Sequence, residues 1–123
     1  MAHPVVHIEL SANSHEAAAN WYADMFGWTT QAFPEMNYTT FRSGENAVGG
    51  GFNPVQADYP AGTVVVYIQT DDLEGHMAKI AGNGGTVVMP RQDIPGVGSI
   101  GMFKDPTGNL MALIQPVEME QDG

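Results

Sequence analysis

Cysteine is absent from the 123 residues. Its absence removes disulfides, thiolate metal sites and cysteine nucleophiles from consideration, and a reducing compartment fits such a chain. Positive charge is nearly as scarce, with four Lys and Arg against fourteen Asp and Glu and a formal net charge of -10. A surface of that sign repels phosphate backbones and anionic lipid, so neither nucleic acid nor membrane is an expected partner. No apolar run approaches the roughly 20 residues that a spanning helix needs. Nor does a basic segment lead into an apolar one near the start, so no secretory leader is expected, and the expected location is cytoplasmic.

The hydrophobic share of 43% is enough to give a chain of this length one domain with a true core. Fifteen glycines and eight prolines point to many turns and short strands rather than a helical bundle. Val5 to Leu10 alternates, placing Val6, Ile8 and Leu10 on one face and His7 and Glu9 on the other, as in a half-buried strand. After the polar break at 11–14, Ala17, Ala18, Trp21, Tyr22, Met25 and Phe26 recur at helical spacing, and Gly27 supplies a C-terminal stop. Strands are expected over Trp28 to Phe33, closed by Pro34, over Tyr38 to Arg42, and over the glycine-rich Ala47 to Phe52.

Residues 53–62, with two prolines and little periodicity, read as a linker, after which the same order begins again. Thr63 to Thr70 is a strand. Asp71 or Asp72 caps a helix with Leu73, Met77, Ile80 and Ala81 on one side, ended by Gly84 and Gly85. Thr86 to Met89 is a strand closed by Pro90. Ile100 to Lys104 is the next, beginning earlier through the Gly96–Gly98 region, and Asn109 to Gln115 is the last. Between those two, Asp105-Pro106-Thr107-Gly108 has the residues of a type I turn. The chain is thus one α+β domain over 1–123 built from two tandem βαβββ modules, about 4–53 and 63–117, joined by about 54–62. Counting back from Gly27 and Gly85 pairs His7 with Val65; counting on from Asn46 and Asn109 pairs Gly49 with Ala112.

His7 on the opening strand, Trp21-Tyr22 and Met25-Phe26-Gly27-Trp28 on the first helix, and the closing Lys104-Asp105-Pro106-Thr107-Gly108-Asn109 turn together resemble the vicinal oxygen chelate group. That group comprises the glyoxalases, bleomycin-resistance proteins and extradiol dioxygenases, and the resemblance covers essentially 4–117. It implies curled mixed sheets around a cavity, a homodimer, and metal ligands at four pseudo-symmetric positions. Those positions here are His7, Gly49, Val65 and Ala112, of which only His7 can ligate a metal.

The expected function is therefore binding of a small organic molecule in the concave cavity, with no cofactor and no complete metal site. The alternative is a metal-dependent lyase, isomerase or dioxygenase in which His7 works with a non-standard ligand set. His7 and Glu9, sharing a face, are the candidate catalytic pair, since a carboxylate can orient an imidazole base. Tyr67, Gln69, Trp28, Tyr38, Phe41 and Ala112 are the expected ligand-binding residues, with Met102 and Val65 beside them. His3, His15 and His76 are expected on the surface. The Gly49-Gly50-Gly51 run has neither the lysine nor the following helix of a phosphate loop, and close backbone approach explains it better.

Overall fold

A computed structural model describes residues 2–117. It contains eight strands and two helices in the order β1 (Val5–Ala12), α1 (His15–Phe26), β2 (Thr29–Phe33), β3 (Tyr38–Arg42), β4 (Gly49–Pro54), β5 (Val64–Gln69), α2 (Leu73–Ala81), β6 (Thr86–Ile94), β7 (Gly98–Lys104) and β8 (Leu110–Pro116). The order is βαβββ twice over, an α+β arrangement. A 3-10 turn at Pro34–Met36 links β2 to β3. Among the described residues no helix is long and apolar enough to cross a membrane.

The chain divides into two compact units, one of residues 6–65 and one of 2–5 with 66–117. In the first, the strands run β2-β3-β4-β1. β2, β3 and β4 are antiparallel neighbours, and β4 lies parallel to β1 with His7 beside Gly49 and Glu9 beside Gly51. Helix α1 begins because the Ser14 hydroxyl accepts from the Ala17 amide at 3.1 Å, and it ends at Gly27, whose φ of 73° suits glycine. Ala19, Phe41 and Phe52 form the core beneath it, with Leu10, Ala12, Ala18, Tyr22 and Trp28 packed around them. The buried stripe of α1 is therefore His15, Ala18, Ala19 and Tyr22, while Trp21, Met25 and Phe26 are more than half exposed. The apolar pattern offers two overlapping stripes at helical spacing; packing selects the one with small alanines, which lets the helix sit close on the sheet.

In the second unit the order is β5-β8-β7-β6, with β5 parallel to β8 and the rest antiparallel. Its core is Leu73, Met77, Phe103 and Leu113, flanked by Ile68, Ile80 and Met111. Asp72 is the cap of α2, accepting from the Gly75 amide at 3.1 Å. The helix stops at Gly82, ahead of the Gly84–Gly85 pair, and Ala81 is exposed rather than inward. β6 does not close at Pro90 but continues to Ile94. It stands at the sheet edge and its register with β7 slips between Met89 and Gln92, and an edge with a bulge is where proline is tolerated. The turn at 105–108 forms as expected, Gly108 donating to the Asp105 carbonyl at 3.0 Å.

Candidate functional site

Strand alternation divides each sheet into a face under its helix and a helix-free face. In the first unit Phe41 and Phe52 fix the helix side, so Tyr38 and Arg42 of β3, Gly49, Gly51 and Asn53 of β4, and His7 and Glu9 of β1 share the other. There Tyr38 crosses β4. Its hydroxyl lies 3.0 Å from His7 Nε2 and donates to Glu9 Oε2 at 3.1 Å. Asn53 Nδ2 donates to the second carboxylate oxygen, Oε1, at 3.3 Å. Strands β1, β3 and β4 thus converge on one half-buried polar cluster.

The glycine run makes that crossing possible. A Cβ at Gly51 would fall 1.8 Å from the Tyr38 hydroxyl, and one at Gly50 would strike the Ile8 carbonyl and the Phe41 ring on the opposite face. Close approach on both faces of β4 thus accounts for Gly50 and Gly51.

Proton bookkeeping fixes the direction of the chain. A phenol has one proton, and Tyr38 gives it to Glu9. On the other side the phenol oxygen accepts, so His7 Nε2 carries the hydrogen and the neutral ring's basic lone pair lies on Nδ1. Burial lowers the His7 pKa from the ordinary 6.5, favouring that neutral ring at pH 7. An imidazole oriented through a hydroxyl by a carboxylate can accept a hydrogen bond or a proton from a bound molecule.

The structure brings together His7, Glu9 and Tyr38 of the expected residues, and adds Asn53, the first residue of the aperiodic 53–62 stretch. Alternation continued along Gly49, Gly51 and Asn53 is the signal that would have found it. Trp28 and Phe41 are not on this face. They stack at 4.5 Å between ring centroids in the core under α1, with Tyr22 on the other side of Trp28 at 4.9 Å. Phe41 is three residues from Tyr38 on one strand, so the two must point to opposite faces.

Tyr67, Gln69 and Ala112 lie on the helix-free face of the second unit, since Ile68, Met111 and Leu113 take the side under α2. Tyr67 stands beside Ala112, whereas His7 stands beside Gly49. By strand register the counterpart of His7 is therefore Tyr67, two residues beyond the Val65 obtained by counting from glycines, because His7 precedes the first residue of α1 by eight positions and Tyr67 precedes that of α2 by six.

Two other histidines differ from expectation. His15 is buried, its Nδ1 2.6 Å from the Thr39 hydroxyl, and it secures the start of α1 to β3. His76 is half-buried, with Nδ1 3.2 Å from Thr70 Oγ1 and its ring against His3 at 4.7 Å. A surface depression of about 220 Å³ lies elsewhere in the second unit. It contains none of the expected site residues, and its acid, Asp105, is engaged in holding the adjacent turn.

A divalent metal does not fit the donors present. Among the described residues no three or more His, Cys, Asp or Glu are grouped to hold one. His7 and Glu9 are both tied to the Tyr38 hydroxyl, and Gly49, Val65 and Ala112 offer no side-chain donor.

The pattern of the glyoxalase/bleomycin resistance protein/dioxygenase superfamily matches residues 5–113. The chain belongs to that superfamily. Among its relatives, the putative glyoxylase CFP32 of Mycobacterium tuberculosis is 29% identical over 115 residues, 91% of this chain and 44% of the relative. The anthracycline biosynthesis protein DnrV of Streptomyces peucetius is 28% identical over 128 residues, again 91% of this chain and 46% of the relative. The chain therefore spans less than half the length of these curated relatives. A glyoxylase-like domain-containing protein of Didymella fabae is matched over 88% of its length at 30% identity. The fold is shared with methylmalonyl-CoA epimerase from Mycobacterium tuberculosis, with a TM-score of 0.69 at 13% identity, covering 97% of this chain and 91% of that one.

Proposed function

We propose that this superfamily member binds a small organic molecule on the helix-free face of its first module, without a complete metal site. The observation that carries the reading is the Tyr38 hydroxyl, 3.0 Å from His7 Nε2 and 3.1 Å from Glu9 Oε2. A half-buried, pre-oriented donor and acceptor set gives a ligand fixed polar partners at low ordering cost. Relatives named for glyoxylase and for anthracycline biosynthesis, and a fold shared with an epimerase solved in complex with methylmalonyl-CoA, support a small-molecule role in general terms.

The test is native mass spectrometry of the full chain purified without an affinity tag, paired with elemental analysis. The expected result is a bound organic mass, retained by the parent and reduced in Tyr38→Phe, with transition metal far below one equivalent. A stoichiometric metal whose removal abolishes ligand retention would overturn it.

A second reading, a metal-dependent lyase, isomerase or dioxygenase, is favoured by one observation: His7 and Glu9 approach the same oxygen atom. In that case a divalent ion would take the place of the Tyr38 hydroxyl. Thermal stabilisation on adding Ni²⁺, Zn²⁺, Mn²⁺ or Fe²⁺, lost in His7→Ala, would support it; no shift with any of the four would exclude it.

A further inference from the structure

We infer that the helix-free face of the first module contains a seat for a small carboxylate, with Arg42 as its cation and Gly49 as its floor, beside His7. The inference rests on the proposal that this face binds a small organic molecule, and it names the ligand's class.

Three observations carry it. First, Arg42 and His7 are both in register with Gly49, one from each side. With neighbouring strands about 4.8 Å apart, their Cα atoms are separated by roughly 10 Å across a residue that has no side chain. Second, that row has no side chain at its centre, and the neighbouring backbone leaves no room for one. Apart from its chain neighbours, the only atoms a Cβ at Gly49 would meet within 4 Å belong to the Phe41 carbonyl, 2.9 Å away at the oxygen. Third, Arg42 is the only lysine or arginine between residues 6 and 65. It is exposed, and the two ion pairs among the described residues are both made by Arg91. On a chain of net charge -10, Arg42 is the one guanidinium or ammonium side chain of this module.

The neighbouring acid does not forbid the seat. Both oxygens of Glu9 accept hydrogen bonds, from Tyr38 and from Asn53, which offsets its charge locally. A guanidinium presents two parallel N–H groups to a carboxylate, and a gap of this width admits a flat body the size of one aromatic ring lying over Gly49 toward the imidazole. The ligand class is thus a compact monocarboxylate with an unsaturated or aromatic body.

The experiment uses the full chain with two probes of equal shape, benzoate and neutral benzamide, followed by NMR at the Gly49 amide, the Arg42 side chain and the His7 ring. Benzoate is expected to bind saturably and about tenfold more tightly than benzamide, as charge-assisted pairing requires. Arg42→Gln should remove that preference by weakening benzoate about tenfold. A circular-dichroism spectrum and a melting temperature equal to the parent's establish that the variant is folded. Equal binding of both probes, or undiminished benzoate binding by Arg42→Gln, overturns the carboxylate seat while leaving the small-molecule reading in place. Failure of benzoate to move the Gly49 and Arg42 signals overturns the seat too, and the parent reading is then judged by the co-purified mass alone.

Discussion

Tyr38 reaches two residues on β1 only because β4, lying between, has no side chain at Gly51. The phenol joins an imidazole and a carboxylate, so removing its oxygen takes one hydrogen bond from each of two half-buried groups. Tyr38→Phe should therefore lower stability by about 1–3 kcal/mol in urea denaturation, and lower ligand retention together with it. Gly51→Ala should act on the same bond from the other side. Its new Cβ would fall 1.8 Å from the hydroxyl, so the phenol must swing away, at a cost of about 1–3 kcal/mol. The two variants should give matching changes in the His7 ring resonances, and unlike changes would argue that Tyr38 is not the link. His7 itself carries a pH signature. Its folded pKa is lowered by burial, so the unfolded chain takes up the proton first as acid is added. The stability contributed by its neutral ring is full above the ordinary 6.5 and is lost as pH falls from there through the folded value. Replacing His7 with Gln should flatten the stability profile in that window, measured by denaturation at successive pH values.

Elements show where the sequence speaks and where it is silent. Caps and turns were legible because each rests on one residue's chemistry: Ser14 and Gly27 bound α1, Asp72 starts α2, and Asp105 organises the closing turn. The Asp105 carboxylate accepts from the amides of Thr107 and Asn109 and from both side chains, which hold its pKa well below the usual carboxylate range. Stability from this turn should be present above the unfolded aspartate value and be lost only in strong acid; Asp105→Asn should bring the acid transition to higher pH. Lengths and facings were less legible. Pro90 reads as a strand end, but an edge position lets β6 pass through it. Two apolar stripes on α1 compete at the same period, and only the fit of Ala18 and Ala19 on the sheet decides between them. The site was half legible for the same reason. Alternation placed His7 with Glu9, and strand parity separates Tyr38 from Phe41. The contact of Tyr38 with β1, by contrast, depends on which strand lies next to which, and local periodicity does not record that.

At the scale of the whole molecule, superfamily membership brings a fold in which, among the described residues, no three or more His, Cys, Asp or Glu are grouped to hold a metal. The homodimer implied by the family resemblance predicts a native mass of twice 13.2 kDa; a single-chain mass at micromolar concentration would contradict it. The acidic surface predicts association that weakens little with added salt if the interface is apolar, since like charges gain from screening. The proposed function requires that His7 belong to a hydrogen-bonded ligand site and not to a metal centre. The measurement that tests it most directly is long-range ¹H–¹⁵N NMR of the His7 ring in the full chain, recorded with and without Ni²⁺ or Mn²⁺. The expected spectrum is that of a neutral ring protonated at Nε2, its pKa lowered from the ordinary 6.5 by burial, unmoved by one equivalent of either ion. A ring whose Nε2 loses its proton to the metal, or whose signals broaden stoichiometrically with Mn²⁺, would contradict it.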